Sequence, residues 1–312
     1  MSYKADIAFF YAETAICVVS GLAFAYIALI KTPPFLRPYR NNLLNIGVWY
    51  FMLMFVDGLF FQPVLIVHDS IPCIASLGLG SLIHPKSTYV LWVLILGLSA
   101  NTGVALCLNV FFRYCQMNTG GIFDFLKRNM LAVFVFLHVL ATIALVPMSA
   151  IAATQFNEKF LEGRLLLCFP EHAPLLHSVN VMLFVVSFIC TSVLLFLLVL
   201  VLLTVKRQHT VVSTKTYQLQ KSLALNVAVI TILPIFCDGI PLCLSTANVF
   251  FNTSNAPLCF YVATHLCFVD VFLSYAATLV FVKPYRSAIL RTINVFPNHS
   301  REVSDARTQR IV

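Results

Sequence analysis

A chain of 312 residues with 60% hydrophobic and only 10% charged side chains, and a mean hydropathy of +0.91, holds more apolar surface than one water-soluble core can hide. That excludes a soluble globular domain and points to a membrane protein. The formal net charge of +8 is not the footprint of a nucleic-acid partner, because the basic residues fall in short loops suited to anionic lipid.

Crossing roughly 30 Å of hydrocarbon takes about 20 mainly apolar residues. Seven such runs follow one another at residues 5–30, 43–67, 87–112, 129–153, 177–205, 222–249 and 257–282, leaving 283–312 as a tail. The first is too long for the apolar part of a cleavable leader and contains Glu13, so it is expected to remain as a span. The second carries Asp57; the third carries Asn101 and ends at Arg113 and Tyr114. In the fourth, His138 reads as a hydrogen-bonder between helices with no further role. The fifth contains VMLFVVSFICTSVLLFLLVLVLL, apolar on every face, where a barrel strand would alternate apolar and polar over about ten residues. The sixth holds Pro234, Asp238 and Pro241, and each proline removes a backbone donor and permits a kink. The seventh holds His265 and Asp270 and stops at KPYR. The expected fold is an all-α bundle of seven transmembrane helices, one domain over 1–312.

All but Lys4, Lys86, Lys159 and Arg164 of the 20 lysines and arginines lie after the first, third, fifth and seventh runs. By the positive-inside rule the N-terminus is therefore outside and the tail cytoplasmic. Six cysteines, Cys17, Cys107, Cys190, Cys237, Cys243 and Cys267, fall inside runs, and Cys115 faces the reducing cytosol. Cys73 and Cys168 lie in the two larger outer loops, where a disulfide persists, with Cys259 a rival partner. Asn252 opens an outer NTS sequon, a candidate glycan acceptor; Asn298 carries the same pattern on the cytoplasmic side, where it has no meaning.

Ionisable groups inside spans cost roughly 2.5–3.5 kcal/mol each on insertion scales, so each needs a reason. Asp57, Asn101 and Asp270 share a depth and are expected to form a buried polar cluster that holds a cation or shares a proton; the alternative is that each is satisfied separately. Glu13, Asp238 and His265 sit nearer the outer face, within about 15 Å of it, as candidates to line a ligand cavity; interfacial exposure explains them as well.

Catalysis is not expected. Asp270 sits in CFVDVF without the glycine context of an intramembrane aspartyl protease, and there is no HExxH, Gly-x-Ser-x-Gly or glycine-rich phosphate loop. A retinal protein needs a lysine deep in the last helix, whereas Lys283 is at its rim. His172 and His177 lack a third ligand, so neither a metal nor a cofactor is expected.

Seven helices, an outer N-terminus and a basic inner face are the layout of G-protein-coupled receptors. NVFFRYC, ending in Arg113, Tyr114 and Cys115, is similar to the arginine–tyrosine pair those receptors keep at the end of helix 3. STKTYQLQKSLALNVAVITILPIF, residues 213–236, resembles the opening of helix 6 in the nematode serpentine chemoreceptors of the Str superfamily, and KPYR resembles the close of helix 7 in its classes H and I. The first inner loop, with its prolines, also follows the pattern. The resemblance covers nearly the whole chain. It implies a chemosensory receptor in the plasma membrane, in the sensory cilium of a neuron, that binds a small environmental molecule and activates a heterotrimeric G protein. Arg113, Tyr114, Pro234, Tyr285 and Arg286 are the residues it implies for coupling and activation. Phe112 replaces the acidic residue many receptors have before the arginine, and no Asn-Pro-x-x-Tyr closes helix 7. The competing reading is an ion- or proton-coupled transporter or channel subunit using Asp57 and Asp270, although paired helix breakers in two halves are missing.

Pro284 suits the first turn of a new helix, in which Ile289, Leu290, Ile293 and Phe296 recur on one side and Arg286 and Arg291 serve lipid headgroups. A short interfacial helix is expected there, with Tyr285 at the headgroup level.

Overall fold

A computed structural model describes residues 3–69, 71–118, 120–161, 163–170, 172–208, 213–251 and 253–290. The Asn252 sequon and the tail residues Arg291, Ile293 and Phe296 lie outside them. Among the described residues seven helices are long and apolar enough to cross a membrane.

The first span is Tyr3–Ile30. The second begins as an α-helix, Arg37–Phe55, and ends in a wider π turn, Val56–Phe61. The third is Ser87–Met117, the fourth Met130–Ala153 and the fifth Pro174–Gln208. The sixth runs Thr214–Pro234, passes through a second π turn, Ile235–Gly239, and continues as Ile240–Phe250. The seventh is Ala256–Phe281. Local chemistry sets several ends: prolines occupy the first turns of the second and seventh spans, where a missing N–H costs nothing. Ser213 caps the sixth, its Oγ accepting the Thr216 N–H at 3.4 Å.

No span carries a single marked apolar stripe, so hydrophobicity alone does not choose which face turns inward; small and polar residues do. The third span is the central strut, 44% buried in its most apolar window, against 11% for the peripheral fourth. Gly58 marks the tightest crossing: a side chain there would strike Thr14 of the first span and the Phe268 ring of the seventh. Hydroxyls then tie the second span to the seventh, Tyr275 donating to the Gly47 carbonyl at 2.9 Å and Tyr50 to Asp270 at 2.9 Å.

The apolar run 43–67 is not helical to its end. Gln62 takes a left-handed conformation (φ 44°), its N–H closing onto the Asp57 carbonyl five residues back at 2.6 Å, and Pro63 has no N–H with which to continue. The remaining residues form strand β1, Pro63–His68, which pairs antiparallel with β2, Ile71–Ser76. Two strands of the second outer loop, β3 (Asn157–Leu161) and β4 (Arg164–Cys168), complete a four-stranded sheet in the order β1-β2-β4-β3. Cys73 lies opposite Cys168 in its register, and the two are bridged, while Cys259 is a free thiol. The two central strands are buried on both faces: Ile74, Leu165 and Leu167 pack with Trp92 of the third span and with Phe156, while Cys73, Ala75, Leu166 and Cys168 form a second layer. Lys159 anchors the hairpin turn from outside, its Nζ 2.6 Å from Asp69. The sheet therefore caps the outer end of the bundle.

At the inner end the chain turns at Val282 and is helical again over residues 283–290. Arg286 and Leu290 are exposed there. Tyr285 faces the bundle: its ring is fully buried, its N–H bonds the Val282 carbonyl at 2.9 Å, and its hydroxyl meets the Thr32 hydroxyl at 2.9 Å.

Candidate functional site

Three polar groupings occupy three depths of the bundle. At the inner end, Arg113 is only 5% exposed and reaches across to the sixth span, its Nη2 donating to the Gln220 backbone carbonyl at 3.2 Å and to Oε1 of Gln220 at 3.4 Å. Its guanidinium carbon stands 6.0 Å from the centre of the Tyr39 ring, whose hydroxyl in turn accepts from Asn226 of the sixth span at 2.7 Å. The Nε of Arg113 is buried and has no hydrogen-bond partner among the described residues. Tyr114 packs edge-on against Phe123 of a short inner helix, Gly121–Arg128. Phe112 fills a pocket against Phe134 of the fourth span, which explains how an apolar side chain is tolerated beside Arg113. Pro234 is buried immediately before the π turn of the sixth span.

At mid-depth, Asp270 accepts from Tyr50, with the Ser274 hydroxyl 3.5 Å away. Asp238 of the sixth span lies near this pair, beside the Cys267 thiol, and its Oδ1 is buried with no hydrogen-bond partner among the described residues. Asp57 is buried in the π turn of the second span, near enough to Glu13 to feel its charge.

Among the described residues no side-chain hydrogen bond joins Asp57, Asn101 and Asp270 into one cluster. Asn101 faces the fourth span, its Nδ2 donating to Thr142 at 3.0 Å and to the Gly97 carbonyl at 2.8 Å, and its Oδ1 lies 2.8 Å from Nδ1 of His138. The Trp49 indole, which can only donate, reaches Nε2 of His138 at 3.1 Å. Nδ1 carries the hydrogen to Asn101, whose amide nitrogen is spent on Gly97 and Thr142, and Nε2, which also lies 3.2 Å from Oδ1 of Asn45, accepts from the indole. Counting residues along a helix gives a position on its axis but does not specify which side of the helix a residue occupies.

Nearer the outer face, Glu13 and His265 meet, Oε2 to Nδ1 at 2.7 Å, joining the first and seventh spans. The rings of Phe9, Phe10 and Tyr261 surround the imidazole, with centroids 4.9, 4.8 and 4.2 Å away. Asp238, expected beside them, belongs to Asp270 instead. None of the three lines an outer cleft, a space of about 880 Å³ between the fifth and sixth spans and the β1–β2 hairpin. Its walls include Ile71, Phe169, His177, Asn180, Met182 and Phe250. His177 and Asn180 lie one helical turn apart at the outer start of an otherwise apolar span, and that pairing is the sequence signal that could have found the cleft.

Seven spans in this arrangement, with a buried arginine at the inner end of the third, define the rhodopsin fold. The crystal structure of squid rhodopsin matches with a TM-score of 0.66 over 94% of this chain and 86% of that chain, at 11% sequence identity. Residues 7–295 match the family described as serpentine type 7TM GPCR chemoreceptor Srh. The chain belongs to that family, a class H chemoreceptor rather than class I. No curated protein matches it in sequence.

Proposed function

We propose that the chain acts as one receptor unit in the plasma membrane, in which a small molecule bound in the outer half tilts the sixth span and so frees an inner groove for a heterotrimeric G protein. The observation that carries this reading is the bond from Arg113 to Gln220, which holds the third and sixth spans together at the inner end. Between that latch and the outer cleft lie Pro234 and the π turn Ile235–Gly239, where the α-helical bond pattern is interrupted and bending is cheapest. A ligand that favours the tilted form shifts the population toward it, and the inner ends part.

Released from Gln220, Arg113 presents its donors to the carbonyl-rich end of a partner helix, with Tyr114, Tyr285 and the exposed Arg286 around it. The reading assigns no catalytic step. Family membership favours a sensory cilium as its place in the cell. The test is nucleotide exchange: receptor in nanodiscs with a heterotrimeric G protein and a panel of small volatile and soluble chemicals. Stimulated exchange that Arg113→Ala abolishes supports the mechanism. Ion flux in liposomes without exchange overturns it in favour of a transporter.

A further inference from the structure

The outer cleft has two properties that specify its occupant. Among the described residues lining it none is Asp, Glu, Lys or Arg, so a charged molecule would sit against them without a counter-charge in a low-dielectric setting. Yet one polar atom is left wanting: Nδ1 of His177 is buried and has no hydrogen-bond partner among the described residues. A buried ring nitrogen in that condition is stabilised by whatever supplies the bond. The Phe250 ring stands edge-on to the same imidazole at 5.6 Å, so the nitrogen is bordered by apolar wall.

The route in is equally constrained. The sheet closes the bundle axis from above, whereas the cleft opens on the flank, where Val181, Val186 and Phe250 are exposed. Its volume of about 880 Å³ falls in the range of small-molecule sites.

We infer that this cleft is the receptor's ligand site and takes an uncharged amphiphile, an apolar body bearing one hydroxyl or carbonyl that bonds His177, arriving through the outer leaflet of the bilayer. The inference rests on the receptor reading for its consequence, since the cleft spans the fifth and sixth helices and so reports on the sixth. It does not rest on it for occupancy.

The experiment is photolabelling of the full chain in nanodiscs, without G protein, by a diazirine analogue of octanol. Adducts are expected in peptides covering residues 177–186 and 249–251, competed by 1-octanol, about tenfold less well by octane, and not by octanoate or octylamine. His177→Leu should erase the preference of octanol over octane. Val186→Trp, at an exposed rim position where folding is least at risk, should block labelling by filling the space. Adducts spread evenly over the lipid-facing spans, equal competition by octane and octanol, or better competition by the charged analogues would each overturn the assignment. Nucleotide exchange run in parallel keeps the two ideas apart. Cleft labelling without exchange sinks the signalling mechanism alone, and exchange without cleft labelling sinks the site alone.

Discussion

Nη2 of Arg113 lies 3.2 Å from the backbone carbonyl of Gln220, so the third span is held to the main chain of the sixth as well as to a side chain. Replacing Gln220 by Ala leaves that carbonyl in place and should raise basal nucleotide exchange only modestly, about twofold. Gln220→Glu turns the 3.4 Å side-chain contact into a charge-assisted bond, which is about twice as strong, and should lower basal exchange about tenfold. Arg113→Ala should remove stimulated exchange while leaving surface expression in place. Equal basal rates in wild type and Gln220→Glu would show that the contact is not a latch.

Asp270 depends on Tyr50 for its short hydrogen bond to the second span. Tyr50→Phe keeps the ring and removes the donor, which should cost about 1–3 kcal/mol, the price of an unsatisfied buried acceptor. Thermal unfolding followed by cysteine-reactive dye should show a midpoint several degrees lower. An unchanged midpoint would mean that Asp238 and Ser274 satisfy Asp270 without help.

The Cys73–Cys168 bridge closes a loop with a sequence separation of 95, for which chain entropy predicts a stabilisation of about 4 to 5 kcal/mol. Cys73→Ser, Cys168→Ser and the double variant should lose surface expression to the same extent, because either single change breaks the one bond. Cys259→Ser should be neutral. Flow cytometry with an N-terminal tag reads all four.

On the outer surface, the hydrogen bond from Lys159, aided by the charge of His68, holds the Asp69 carboxyl below its ordinary value of 3.8. A depressed carboxylate contributes its stability above the unfolded value and loses it as pH falls through the folded one. The tie between the hairpin turn and β3 is therefore complete from about pH 5 upward. Asp69→Asn should differ slightly from wild type in thermal midpoint at pH 6, and that difference should vanish toward pH 3. A difference that grows on acidification would contradict the sign.

Much of the architecture is legible in sequence because hydrocarbon thickness imposes a length on every span and the lysines and arginines mark one side of the membrane. PVLIV at the end of the second run defeated that reading. Its composition suits strand and helix equally, and only the left-handed turn at Gln62 separates them. Asn101 shows a second limit, since a uniformly apolar helix carries no stripe to reveal that Gly97 and Asn101 face the fourth span. Asp238 shows a third: the π turn around it alters the helical register, so counting residues inward from the outer end misplaces it relative to His265 and Asp270.

That same turn gives the sixth span an unusual genetic property. A π turn holds one residue more than the α-helix it interrupts, so losing a single codon between Ile235 and Gly239 would restore a regular helix with the segments on either side in place. Phe250 would stay in the cleft wall and Gln220 would keep its orientation, while the weak point between them would be gone. One small deletion would thus leave a descendant gene with the same chemical preference and a stiffer sixth span.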